Sequence, residues 1–209
     1  GSKALACVLD MLNSFFPDIP VILDSKRGDI ATSSLNYAVE AFDCWRADAV
    51  TVSPYMGTDS VMPFAFENKG IYILNRTSNP GGADLQNLEM KDGKTLYITV
   101  SEKIASWAKE HAGTGAVVGA TNLKEFENIS AFYSTRNIPM LIPGVGSQGG
   151  TAPEVMELMK KTCYPIKLAR INSSSGLTHP WKKGPAPDDA VEQCTVKIKK
   201  LIKIKFVTC

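Results

Sequence analysis

Residues that commonly bind metal ions or form disulfides are scarce in this sequence. It contains only two histidines, His111 and His179, and five widely spaced cysteines without a Cys-x-x-Cys pair. Zinc sites and disulfide frameworks require such residues at short, repeated spacings. The sequence therefore predicts neither a metal site nor a disulfide-stabilised fold.

Long apolar runs and a strong charge bias are absent as well. No stretch approaches the roughly 18 apolar residues of a membrane span, and the first residues lack the charged-then-apolar layout of a signal peptide. The net charge of +2 indicates no particular partner, so we expect no nucleic acid and no membrane association. A reducing compartment such as the cytoplasm is the expected location.

Lysines do concentrate near the C-terminus, in the segment KIKKLIKIK (197–205). A basic cluster of this kind can bind nucleic acid or a membrane surface. Apolar residues interleave with the lysines, however, and this pattern favours an amphipathic closing helix with a solvated basic face.

Short β-branched runs alternate with helical patterns along the chain, which is typical of βαβ units on a parallel sheet. The 209 residues fit one domain, and we expect residues 1–209 to form it. Helices are predicted near 3–15, 32–45, 59–69, 95–112, 123–134, 151–162 and 187–204. Strands are predicted near 20–24, 49–53, 71–75, 115–119, 140–143 and 166–171.

Polar and glycine-rich residues follow each predicted strand. In parallel α/β folds, binding sites form at the carboxyl ends of the strands. The longest such loop, at about 76–94, has the length of a binding loop. The pattern favours a (β/α) barrel over an open sheet, with these loops on one face.

The strongest chemical signal is the end of the first predicted strand, where Asp24, Lys26 and Asp29 follow an apolar run. Side chains alternate along a strand, so Asp24 and Lys26 are predicted to share a face. A lysine between carboxylates is held in its charged form, and it can donate a proton to a carbon that has lost an anionic group. A surface cluster of salt bridges is the simpler alternative.

Two later segments carry weaker signals. Thr121 follows an apolar strand, where its hydroxyl can contact a ligand or cap the next helix. The run GVGSQGG (144–150) leaves backbone N–H groups accessible before a helix, as a phosphate cradle requires. A glycine-rich loop is by itself more often a flexible connector.

Five motifs taken in order resemble the orotidine 5'-phosphate decarboxylase family, over about residues 18–180. They are DSKRGDI (24–30), TVSPYMGTDS (51–60), RTSNPGGADLQ (76–86), VVGAT (117–121) and IPGVGSQGG (142–150). The resemblance implies a (β/α)8 TIM barrel that works as a homodimer without metal or organic cofactor. It also implies conversion of orotidine 5'-monophosphate to uridine 5'-monophosphate and CO2 in pyrimidine biosynthesis.

The same resemblance implies roles for individual residues. Asp24 would lie beside the substrate carboxylate, and Lys26 would protonate C6 of the pyrimidine. Asp29 and Ser33 would reach the neighbouring subunit's site across the dimer interface. The substrate-binding residues implied in the later loops are Thr121 at the pyrimidine edge, Gly146, Gln148 and Ser175 at the phosphate, and Pro143.

The sequence departs from the family pattern at two places. Ser175 stands where the family has an arginine that pairs with the phosphate, and a serine offers one neutral hydrogen bond instead of a charged fork. The first two barrel strands, with a ribose-binding aspartate and a second lysine, have no counterpart before residue 20. We therefore expect six of eight strands here, a missing N-terminal part and no catalysis by this chain alone.

Two other functions stay open at this point. A sugar-phosphate decarboxylase or aldolase of the same barrel superfamily also uses Asp-x-Lys-x-x-Asp, but typically with magnesium. A noncatalytic nucleotide-binding or assembly chain agrees with Ser175 and the missing strands. The retained charges of Asp24, Lys26 and Asp29 favour catalysis over this second alternative.

Overall fold

The computed structural model of the chain describes residues 1–145, 150–181 and 183–202. Within these ranges six strands form one sheet, in the order in which they occur along the chain. They are β1 (Ile22–Arg27), β2 (Ala49–Val52), β3 (Gly70–Arg76), β4 (Thr114–Val118), β5 (Met140–Ile142) and β6 (Ala169–Ile171). The pairs β1/β2, β2/β3 and β5/β6 are parallel. All six predicted strands are confirmed, and the sequential order lacks the reversal that marks doubly wound sheets.

Helices separate the strands, as the alternating pattern predicts. The α-helices are α1 (Ser2–Phe15), α2 (Ala31–Val39), α3 (Thr58–Val61), α4 (Ala83–Gln86), α5 (Leu96–Glu110), α6 (Leu123–Ser134), α7 (Ala152–Lys161), α8 (Ser175–Thr178) and α9 (Ala190–Ile202). A π-helix, Glu40–Cys44, continues α2, and short 3-10 helices cover Met62–Phe64, Pro80–Gly82 and Ile166–Leu168.

The predicted helix over 59–69 is too long. Helix α3 ends at Val61 because Pro63 has no N–H to donate to the preceding turn. After the 3-10 turn, the chain reverses through Asn68, which has a left-handed φ of 58°. The strand near 166–171 is also shorter than predicted, because its first half is the 3-10 helix Ile166–Leu168.

The chain divides into two compact units, and the first comprises Gly1–Asn75 with Glu102–Ala116. Strand β2 is buried along its whole length, as expected for a parallel strand covered on both faces. Side chains with no exposed surface form the core of this unit: Val50, Val52, Val61, Phe64, Ile71, Ile73 and Ile104.

The second unit comprises Arg76–Ser101 with Val117–Cys209. A capping box fixes the start of α7, since Thr151 and Glu154 each accept a hydrogen bond from the other's backbone N–H. Fully buried side chains from α6, β5 and α7 form its core: Phe126, Ile129, Tyr133, Met140, Ile142, Val155 and Met159.

Candidate active site

An irregularity in β1 shapes the first part of the site. Leu23 pairs with Val50 and Arg27 pairs with Val52, so the pairing register shifts between these two points. Within the shift, Lys26 adopts a left-handed φ of 48°. Bulges of this kind re-aim side chains and are common beside active sites. Here the bulge contains both Asp24 and Lys26.

Asp24 and Lys26 form an ion pair inside this bulge. Lys26 Nζ lies 2.7 Å from Asp24 Oδ2, and both side chains are about half exposed, at 51% and 48%. The prediction that they share a face is confirmed, although the strand between them is not regular. An ion pair with this exposure contributes less than about 1 kcal/mol to stability, so its effect on folding is small.

Thr51 on β2 forms a hydrogen bond with each of these two residues. Its hydroxyl donates to Asp24 Oδ1 over 2.9 Å and accepts from the Lys26 backbone N–H over 2.9 Å. Thr51 itself is fully buried. Sequence reasoning assigned it no role, and the available signal was a hydroxyl in the middle of the apolar strand AVTV, because a buried polar group requires partners.

Asp29 lies just before α2 and is separate from this pair. Its Oδ1 accepts from the Ile30 N–H over 2.8 Å, and its carbonyl accepts from the buried Ser34 hydroxyl over 2.8 Å. Ser33, half-buried, follows in the first turn of α2. In the described part of the chain, Asp29 makes no ion pair with Lys26. The structure thus brings together two of the three charged residues of the motif.

In the second unit, Thr121 contacts the long loop that follows β3. Its hydroxyl donates to the Ser78 carbonyl over 3.0 Å. The N-cap of α6 is Asn122, whose side chain accepts from the Glu125 N–H. The alternative in which Thr121 caps the helix is therefore wrong. Pro143 contributes its carbonyl, which accepts from the Ala120 N–H over 2.9 Å.

The same loop begins with a buried ionic network. Arg76 Nε donates to Glu125 Oε2 over 2.6 Å, and the two residues are 7% and 8% exposed. Arg76 Nη1 also donates to the Thr77 carbonyl and to Gln86 Oε1. Gln86 Oε1 accepts from the Thr77 N–H as well, and Asn87 donates to Glu125. The network ties both ends of the segment 77–86 together.

The predicted phosphate-binding residues are placed less completely. Gly146 and Gln148 lie outside the described residues. Gly150, just beyond them, approaches so closely that an added Cβ would lie 2.5 Å from the Ala120 carbonyl oxygen. Ser175 is exposed at the start of α8, where its carbonyl accepts from the His179 N–H over 3.0 Å.

A family model described as orotidine 5'-phosphate decarboxylase / HUMPS matches residues 8–166, which is more than half of the chain. This chain belongs to the orotidine 5'-phosphate decarboxylase / HUMPS family. Within the matched region lie the Asp24–Lys26 pair, Asp29, Thr121 and Pro143, whereas Ser175 lies beyond it.

Individual members of the family agree with this assignment. The chain is 48% identical over 136 residues to orotidine 5'-phosphate decarboxylase of Bordetella avium, covering 65% of this chain and 50% of that protein. It is 42% identical over 175 residues to the Halorubrum lacusprofundi protein of the same name, covering 82% of this chain and 61% of that protein. The chain thus spans about half the length of the curated relatives it matches.

A solved structure supports the predicted fold class. Leishmania donovani OMP decarboxylase superposes with a TM-score of 0.75 at 30% identity, covering 99% of this chain and 77% of that one. The expected α/β fold of the TIM-barrel family, with six parallel strands in this chain, is confirmed.

The described residues contain no group of three or more His, Cys, Asp or Glu side chains arranged to hold a metal ion. Across residues 1–145, 150–181 and 183–202, none of the helices has both the length and the apolar character of a membrane span.

Proposed function

We propose that the protein formed with this chain decarboxylates orotidine 5'-monophosphate to uridine 5'-monophosphate and CO2, in pyrimidine biosynthesis. The observation that carries the proposal is the Asp24–Lys26 pair at the carboxyl end of β1, 2.7 Å apart and half exposed. A half-exposed ammonium is accessible to a substrate. The pair also lies where α/β barrels have their active sites.

Lys26 supplies the chemistry of this reaction. Loss of CO2 leaves a carbanion at C6, and an ammonium already in place stabilises that charge as it develops and then donates the proton. Asp24 compensates the lysine charge before the reaction. Its carboxylate would face that of the substrate. A bound substrate excludes water from both groups, which strengthens every electrostatic interaction among them.

The remaining predicted residues have binding roles in this proposal. Thr121 contacts the pyrimidine edge, Gly146, Gln148 and Ser175 bind the phosphate, and Pro143 is a further substrate-binding residue. Asp29 and Ser33 act across the interface of a homodimer, which agrees with the separation of Asp29 from Lys26. The reaction needs no metal or organic cofactor, and we place the enzyme in the cytoplasm.

The test follows the loss of orotidine 5'-monophosphate absorbance. The chain is assayed alone and mixed with a polypeptide supplying the first two barrel strands, since it spans about half the length of its relatives. We expect turnover in the mixture. Lys26→Ala should abolish it, and Lys103→Ala, at an exposed position on α5, should not. Folded protein that is silent in every mixture would favour a noncatalytic binding or assembly chain.

A chelator distinguishes the proposed function from the remaining alternative, a magnesium-dependent sugar-phosphate decarboxylase. Such a magnesium-dependent enzyme would lose its activity in EDTA. We expect turnover of orotidine 5'-monophosphate to persist in EDTA.

A further inference from the structure

We propose that Thr51 is a positioning residue for the reaction, because one buried hydroxyl orients both Asp24 and Lys26. The inference rests on the proposed function, since it assigns Thr51 a role through the two residues that would meet the substrate. Thr51 itself is fully buried and would not touch the substrate.

The hydrogen bonds of Thr51 use its hydroxyl in one consistent way. A hydroxyl has one proton to donate and two lone pairs that accept. The proton goes to Asp24 Oδ1, and a lone pair accepts from the Lys26 N–H, each over 2.9 Å. A valine has the same shape but neither function. Position 51 therefore needs a hydroxyl to make these two hydrogen bonds, and a residue that only fills the same space cannot replace it.

The bulge in β1 makes the contact to Lys26 necessary. Between Leu23 and Arg27 the strand does not pair regularly with β2. The Lys26 N–H finds its acceptor in a side chain of β2 instead of a backbone carbonyl. The Lys26–Thr51 bond is part-buried, and a backbone N–H that is shielded from water needs an acceptor, so Thr51 helps to hold Lys26 at its left-handed φ of 48°.

The contact to Asp24 selects one orientation of the carboxylate. With Oδ1 bonded to Thr51, Oδ2 lies 2.7 Å from Lys26 Nζ. The ion pair is about half exposed, and water competes for both of its charges. The Thr51 hydroxyl is buried, so no water competes for it. The hydrogen bond to the carboxylate is charge-assisted and its donor is shielded from water, so it fixes the carboxylate more firmly than the half-exposed ion pair does.

The first experiment compares Thr51→Val with Thr51→Ser in the form of the protein that turns over orotidine 5'-monophosphate. We expect Thr51→Val to lower kcat by about 10- to 100-fold, because small misplacements of catalytic groups have effects of this size. KM should change little, since the fully buried Thr51 would not contact the substrate. Thr51→Ser, which keeps the hydroxyl, should restore most of the lost kcat. Equal losses in both variants, or none, would overturn the proposal.

The second experiment does not depend on turnover. The rate of amide hydrogen exchange at Lys26 is measured for the unsubstituted chain and both variants. Crystal structures of the same three proteins are determined. We expect faster exchange and a displaced Asp24 carboxylate in Thr51→Val, with both reversed in Thr51→Ser. If Thr51→Val does not fold, Thr51→Cys replaces it, because a thiol is only a weak donor. An unchanged Asp24–Lys26 pair in the variant without the hydroxyl contradicts the inference.

The two experiments separate the two proposals. If the unsubstituted protein shows no turnover in any mixture, the proposed function is contradicted. If Asp24 is nevertheless displaced in Thr51→Val, the role of the hydroxyl in positioning the pair is supported. Turnover that is insensitive to Thr51→Val would leave the proposed function intact and overturn the role of Thr51.

Discussion

Arg76 and Glu125 form a buried ion pair, with Arg76 Nε 2.6 Å from Glu125 Oε2 and both side chains about 10% exposed. Each charge has further partners, since Gln86 and the Thr77 carbonyl accept from the arginine and Asn87 donates to the glutamate. A buried pair is stable only when such additional hydrogen bonds compensate the loss of water. Within the second unit, the pair connects the loop after β3 to the first turn of α6.

Neutralising Glu125 should therefore be strongly destabilising. We expect Glu125→Gln to lower the free energy of unfolding by about 3 to 5 kcal/mol, because it leaves the Arg76 charge buried without its counterion. The matched control is Glu127→Gln on the same helix. Glu127 is half-buried and pairs with the exposed Lys161, a partly solvated pair whose loss should cost less than about 1 kcal/mol. Urea denaturation measures both, and equal effects would contradict the expectation.

Gly82 lies directly against this network, which gives a second prediction. An added Cβ would be 2.6 Å from Arg76 Nη1 and 2.7 Å from Thr77 Oγ1, atoms already fixed by hydrogen bonds. We expect Gly82→Ala to destabilise by about 1 to 3 kcal/mol through overpacking. A Cβ added at Gly81 would lie 3.5 Å from its nearest neighbour, Asn79 Nδ2, so Gly81→Ala should be tolerated. Thermal denaturation of the two variants makes the comparison.

The sequence predicted those features that neighbouring residues determine. Strand β2 reads as a short apolar run followed by turn residues, and it forms where predicted. The closeness of Asp24 and Lys26 follows from a spacing of two residues. The bulge between them could not be predicted, because it depends on pairing with β2 and on a lysine at positive φ.

Long-range polar partners were beyond sequence reasoning for a physical reason. Thr51 and Asp24 are 27 residues apart, and Arg76 and Glu125 are 49 residues apart. A polar residue within an apolar strand indicates that a partner must exist, but not which residue it is. The binding-loop interpretation of 76–94 required only length and composition, whereas the network that holds this loop required the fold.

Tyr133 gives the protein a predictable response to alkaline pH. Burial raises the pKa of Tyr133 far above its usual value near 10, although a hydrogen bond with Ser101 partly opposes this. The unfolded chain releases the phenol proton near pH 10 while the folded chain keeps it. Stability from this group is therefore complete below pH 10 and is lost above it, by at most about 1.4 kcal/mol per pH unit.

The corresponding measurement is urea denaturation at pH 9 and pH 11. Tyr133→Phe should reduce the loss of stability between these values, whatever its effect at neutral pH. Tyr55→Phe, at a tyrosine that is 81% exposed, should leave the loss unchanged. The same pH response in both variants and in the unsubstituted chain would show that Tyr133 is not responsible.

Lys26 should lower the stability of the chain through its backbone. A residue with a Cβ is strained at a φ of 48°, by about 1 to 2 kcal/mol, whereas glycine is not. We expect Lys26→Gly to be more stable than Lys26→Ala by about 1 kcal/mol, with both inactive. At Lys103, inside α5, the order should reverse, because glycine is unfavourable within a helix. Urea midpoints for the four variants test whether the backbone at position 26 is strained.

Asp29 allows a direct test of the proposed shared site. If Asp29 completes the site of the neighbouring subunit, Lys26→Ala and Asp29→Ala protomers are each inactive alone. A mixed dimer, however, has one site with both mutations and one site with neither. Equal mixing should therefore restore activity at about a quarter of all sites, since half of the dimers of a two-fold assembly are mixed.

The comparison is made in the form of the protein that turns over substrate, after the two variants are dissociated and reassociated together. A mixture of Lys26→Ala with Asp24→Ala is the control, because Asp24 and Lys26 belong to one chain and one site. That mixture should stay inactive, since every site lacks one of the two groups. Recovery in the first mixture and none in the second would place Asp29 across the interface, whereas no recovery in either would assign Asp29 to its own subunit.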